Sequence, residues 1–153
     1  MQKLDLEKNI HVDFYRKEGN ALVSVTWLRD YAHDVGIEVE MDMDDLVVTG
    51  AKFMFDRYPE KKCALVKEME KSLIGMTVGN GVGDEILKRF MGKDGCENIV
   101  SLLFLGTSGA IFAHYIDRLK SGKITGEDFG REIPAIRNNA CLAFNPDIPF
   151  VGE

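Results

Sequence analysis

The sequence predicts an α+β fold, an antiparallel meander sheet followed by helices packed on one of its faces. Three observations carry that reading. The first third of the chain alternates apolar and polar residues with a period of two, the period turns helical from Pro59 onward, and turn-forming Gly, Asn and Asp residues separate the runs. Strands grouped first and helices second favour segregated layers over a parallel sheet. With 153 residues, 45% hydrophobic and 29% charged, the chain has the composition of one globular domain, expected over 1–153.

Ile10, Val12 and Phe14 alternate with His11, Asp13 and Tyr15, and Glu18-Gly19-Asn20 turns that strand into a second one from Ala21 to Arg29. Ile37, Val39 and Met41 alternate with Glu38, Glu40 and Asp42 in a third strand with one wet face, and Asp44-Asp45 turns it into a fourth over Leu46 to Phe55. Leu65, Val66, Met69, Leu73 and Ile74 fall at helical spacing after Pro59. Gly75, Gly79, Gly81 and Gly83 end that helix. Asp84 opens a short helix through Phe90, and Gly92 and Gly95 break the chain before a long helix from Cys96 to Lys120. Its small residues Gly106, Gly109, Ala110 and Ala113 allow another backbone to approach closely. A last helix from Thr125 to Arg131 carries Glu127 and Asp128 in its first turn and is limited by Pro134. The tail from Asn145 to Glu153 reads as extended.

A net charge of −6, with lysines and arginines scattered among acids, disfavours nucleic acid and anionic membranes as partners. Met1 to Asn9 has no apolar core, so no secretory signal is expected, and the glycines, serine, threonine and histidine within Ile99 to Ile116 suit a buried helix better than a membrane span. An odd number of cysteines without an export signal suits reduced thiols and a cytoplasmic protein.

The candidate chemistry is metal or sulfur chemistry. Cys63 and Cys96 each open a helix, where the macrodipole and free N–H groups favour a thiolate, and His33-Asp34 stands at a turn between strands. Junctions at one end of such a fold converge, so His33, Cys63 and Cys96, with Asp34, Glu97 or Cys141 as a fourth group, form a candidate site for zinc or iron. No short Cys-x-x-Cys pair supports it, and buried structural cysteines are its ordinary alternative. A second reading makes Cys63 or Cys96 a nucleophile or persulfide carrier with His33 as base. The glycine segment Gly75 to Gly83 lacks a nucleotide-binding pattern and reads as a connector. His11 and His114 read as solvated or structural, the latter late in a helix where a protonated ring is mildly favoured. Asp42, Asp44 and Asp45 lack calcium-loop spacing and read as a solvated turn.

From His33 to Ala110 the order His33-Asp34-Val35, Pro59 to Cys63, Leu73-Ile74-Gly75 and Gly95-Cys96-Glu97-Asn98 resembles a bacterial family of unknown function. Asn98 stands where that family usually carries histidine, and Cys141 also looks like a family cysteine. The same stretch is similar, more distantly, to the NifU and IscU scaffolds of iron–sulfur cluster assembly. Gly50-Ala51-Lys52-Phe53 matches a strand end there, Cys63 opens the next helix and Cys96 the late one, while two scaffold ligands are changed in type. That similarity implies a SufE/NifU-like fold with His33, Cys63 and Cys96 on one exposed rim, and a protein partner in sulfur or metal transfer. The metal set is thus His33, Asp34, Cys63 and Cys96. The alternatives are a thiol-based sulfur acceptor, and a non-catalytic module forming a homodimer through the small-residue face of the Ile99 to Ile116 helix.

Overall fold

The computed structural model describes residues 6–136, so Cys141 and the tail from Asn145 lie outside the described residues. Four strands, β1 (Lys8–Lys17), β2 (Ala21–Asp30), β3 (Asp34–Asp42) and β4 (Val48–Arg57), form an antiparallel meander in the order β1-β2-β3-β4. The α+β expectation holds. Gly19 and Asn20 take positive φ, 83° and 64°, which lets a tight turn join β1 to β2.

Register explains the two faces. Phe14 lies opposite Ser24, which lies opposite Val39, and Ile37 lies opposite both Thr26 and Phe53. These rows, with Leu22, Leu28, Val35 and Met41, face the helices and form the core with Ile99, Leu102, Leu103 and Ala110. On the other face Trp27 covers Gly36, where a Cβ would stand 2.7 Å from the indole.

After β4 the chain winds as a 3₁₀ segment over Lys61–Leu73, followed by α1 (Val82–Phe90), α2 (Glu97–Lys120) and α3 (Gly126–Ile136). The 3₁₀ winding departs from the α-helix expected there and turns side chains by about 120° per residue. Val66 and Leu73 reach the core, while Leu65 and Ile74 stay 68% and 50% exposed. The Glu70 carboxylate ties the segment to β4 by accepting the Phe53 N–H at 2.9 Å. Within the glycine segment, Gly75 N–H donates to the Val48 carbonyl, Val78 N–H donates to the Leu46 carbonyl, and Gly81, at φ 82°, caps α1. It is a connector.

The small residues of α2 serve the chain's own sheet. A Cβ on Gly106 would stand 2.9 Å from Thr26 Oγ1, and one on Gly109 would stand 2.3 Å from the Phe14 ring. The homodimer expectation therefore loses the surface it was drawn from. Helix α2 is long and apolar enough to cross a membrane by length and composition alone, but 56% of its apolar window is buried inside the fold, as expected of a core helix. Pro134 lies within α3 and does not end it. The helix continues to Ile136 because proline deletes one hydrogen bond and need not stop the winding.

Candidate functional site: a cleft with two thiols

Cys63 and Cys96, 33 residues apart in sequence, line one open cleft of about 500 Å³. One wall is the 3₁₀ segment. Its three-residue period aligns Cys63, Val66 and Met69 in a row, with Lys62 and Leu65 beside them. The other wall is the turn between α1 and α2, which contributes Lys93, Asp94, Gly95 and Cys96.

Gly95 makes that turn possible. A Cβ there would fall 1.9 Å from the Phe90 carbonyl oxygen, so glycine is what lets the chain fold back against the end of α1. The same carbonyl accepts the Cys96 N–H at 2.9 Å, which fixes Cys96 as the extended N-cap of α2. No side chain caps this helix start, so its first-turn N–H groups and macrodipole stay available to an anion. Both thiols are free and half-buried.

His33 and Asp34 are placed otherwise. The His33 ring holds Asp30 through Nδ1 at 2.9 Å, and Asp30 also accepts the Ala32 and His33 backbone N–H groups at 2.9 and 2.7 Å. Burial opposes the Asp30 charge, but the His33 ring and these N–H groups outweigh it and hold the carboxyl below the usual carboxylate range. Arg57 closes the turn by donating to the Asp30 and His33 carbonyls. Asp34 accepts from Arg29 Nε at 3.0 Å. Neither His33 nor Asp34 lines the cleft, and among the described residues no three His, Cys, Asp or Glu side chains are grouped to hold a metal ion.

Asn98, the second residue of α2, is buried and accepts a hydrogen bond from the Lys8 ammonium at 2.8 Å, tying α2 to β1. His11 is exposed beside Asp13. His114 is buried at 5% exposure, and burial, then Arg118, push its ring below the usual imidazole range, against the protonated form the sequence suggested. Lys62, Lys93 and Asp94 were not singled out from sequence. Their only signal there was adjacency to the cysteines.

Residues 5–110 match the pattern of DUF2889, a protein family of unknown function. The chain belongs to the DUF2889 family. The match spans the sheet, the 3₁₀ segment, α1 and the first part of α2, so the DUF2889 portion contains both walls of the thiol cleft but neither His114 nor α3. No curated protein and no solved structure gives a significant match to the chain.

Proposed function

We propose that this DUF2889 protein is a thiol-based sulfur acceptor that works at the Cys63–Cys96 cleft. The observation that supports the reading is the meeting of the two cysteines in one open cleft flanked by Lys62 and Lys93. The lysines and the uncapped start of α2 suit an anionic sulfur. Cys96 is the acceptor because it caps the longest helix.

Its thiolate attacks the terminal sulfur of a low-molecular-weight persulfide, R–S–SH. A bond forms between Cys96 Sγ and that sulfur, the donor S–S bond breaks, and the electron pair leaves with the thiolate RS⁻. The transferred sulfur keeps its hydrogen, and Cys63 is the second thiol, to which it can pass by the same exchange. Such chemistry belongs in a reducing compartment, in keeping with a cytoplasmic location.

Zinc or iron at the same thiolates is the second reading, and Asp94 in the cleft lining favours it. Tetrahedral coordination then needs more than one ligand from outside the described residues, because no three His, Cys, Asp or Glu side chains are grouped among them, and His33 and Asp34 are held by Asp30 and Arg29. A relation to the SufE/NifU scaffolds belongs with this reading, and its support is the order of strands, helices and cysteines.

The test treats the full chain with glutathione persulfide and maps sulfane sulfur by mass spectrometry, with zinc, iron and acid-labile sulfide measured on the same preparation. The acceptor reading expects about one sulfane sulfur per chain, on Cys96 first, lost in Cys96→Ser. Equal labelling of all cysteines, or none, rejects it. Stoichiometric metal lost in both Cys63→Ser and Cys96→Ser selects the metal reading.

A further inference from the structure

A second pocket, away from the thiols, lies where the turn between β3 and β4 meets the end of α2. It has a volume of about 220 Å³ and is lined by Met43, Asp44, His114, Arg118 and Lys123. His114 is the informative residue. The residue is 5% exposed, and its buried Nδ1 has no hydrogen-bond partner. A buried polar nitrogen without a partner is costly, so a ligand that satisfies it is favoured. The surrounding groups select the sign of that ligand. Arg118 and Lys123 bring two positive charges against the single carboxylate of Asp44.

The cations are only lightly engaged. Arg118 Nη1 lies 3.5 Å from Glu132, a long contact, and its guanidinium stands 5.5 Å from the Tyr115 ring centre. Lys123 makes no ion pair among the described residues. We propose that this pocket binds a small oxyanion, a phosphate or sulfate group, between Arg118, Lys123 and the His114 ring. Arg118 and Lys123 neutralise its charge, and His114 Nδ1, as a donor, supplies the innermost hydrogen bond. Two sources share this chemistry: a free inorganic anion, and the phosphate of a larger ester whose body stays outside the open mouth of the pocket.

Proton linkage gives the site a signature. In the free protein, burial and Arg118 disfavour the charged ring, Asp117 and Asp44 act against them, and Lys123 adds to the disfavour. An anion beside the ring favours the imidazolium, so binding takes up a proton and tightens as pH falls.

Sulfate is the probe, since its charge is constant across this range. It is titrated into the full chain at fixed ionic strength in chloride buffer, and followed through the ¹⁵N resonances of the His114 ring. The expected result is one saturable site per chain, about tenfold tighter at pH 5.5 than at pH 7.5 and weakened about tenfold in Lys123→Gln. Lys123 is exposed, so this variant keeps the fold. Competition separates the sources. Displacement by inorganic phosphate alone identifies a free anion, and displacement by phenyl phosphate as well identifies an ester. A non-saturating response, or one unchanged in Lys123→Gln, overturns the proposal.

Discussion

At the scale of single residues, Gly95 does the most to position the candidate site. Its Cβ-free backbone is what lets the α1–α2 turn press against Phe90, and backbone on backbone leaves nothing that can move aside. Gly95→Ala is expected to cost about 1–3 kcal/mol in urea unfolding, and to change the alkylation rate of Cys96. Gly79→Ala is its control, since a Cβ there meets nothing within 4 Å. Thr26 is a residue of the opposite kind. Its hydroxyl is buried under Gly106 with no partner, as is that of Ser24. Thr26→Val keeps the shape and removes the unsatisfied group, so it is expected to leave stability unchanged or raise it by about 1 kcal/mol. A loss larger than that would show that the hydroxyl has a partner. The break at Gly95 was legible in the sequence but its contact with the Phe90 carbonyl was not, and the role of Thr26 was hidden because Gly106 lies far along the chain.

At the scale of elements, the strands were legible and the helices less so. Alternation in β1 to β3 has one reading, since a slip of one residue would send Ile37 and Val39 to the wet face. The segment from Lys61 to Leu73 reads as α-helical in the sequence because Val66, Met69 and Leu73 fall at 3.6-residue spacing, and that spacing does not reveal the 3₁₀ winding. The start of α3 shows local chemistry that sequence could reveal. Thr125 Oγ1 accepts the Asp128 N–H at 3.1 Å, while Asp128 Oδ2 accepts the Thr125 N–H and hydroxyl at 3.0 and 2.7 Å. The Thr125 backbone N–H, then its hydroxyl and Arg131, hold the Asp128 carboxyl down at about 2. A depressed carboxylate stabilises the fold above the unfolded value, near 3.9, and that stabilisation is lost as pH falls through about 2. Carboxyl NMR is expected to show Asp128 titrating near 2. Titration near 4 would mean that the cap is not formed.

At the scale of the whole molecule, two long-range meetings define the chemistry, and the sequence showed neither directly. Cys63 and Cys96 line one cleft because the 3₁₀ segment packs on β4 while the Gly95 turn folds back on α1. The cysteines themselves were legible as candidates, whereas their pairing without His33 was not, because Asp30 and Arg57 hold the His33 turn at another place. His114 was read as ordinary because helix position says nothing of what the β3–β4 turn brings over it. Its burial makes a prediction for the entire fold. With its proton affinity lowered on folding, the unfolded chain binds more protons below about pH 6.5, so His114 makes stability fall as pH drops through that region. Denaturant melts between pH 8 and 5 should show that slope, flattened in His114→Gln and reduced by sulfate. A slope identical in His114→Gln would assign it to other groups.

Everything proposed for the cleft requires that Cys63 and Cys96 lie within reach of one another. The most direct measurement is intramolecular crosslinking of the full chain by a short, rigid bismaleimide, mapped by mass spectrometry in native buffer and in urea. The cleft predicts a Cys63–Cys96 crosslink as the main native product, lost on unfolding. A crosslink that fails to form, or that forms equally in urea, would contradict it.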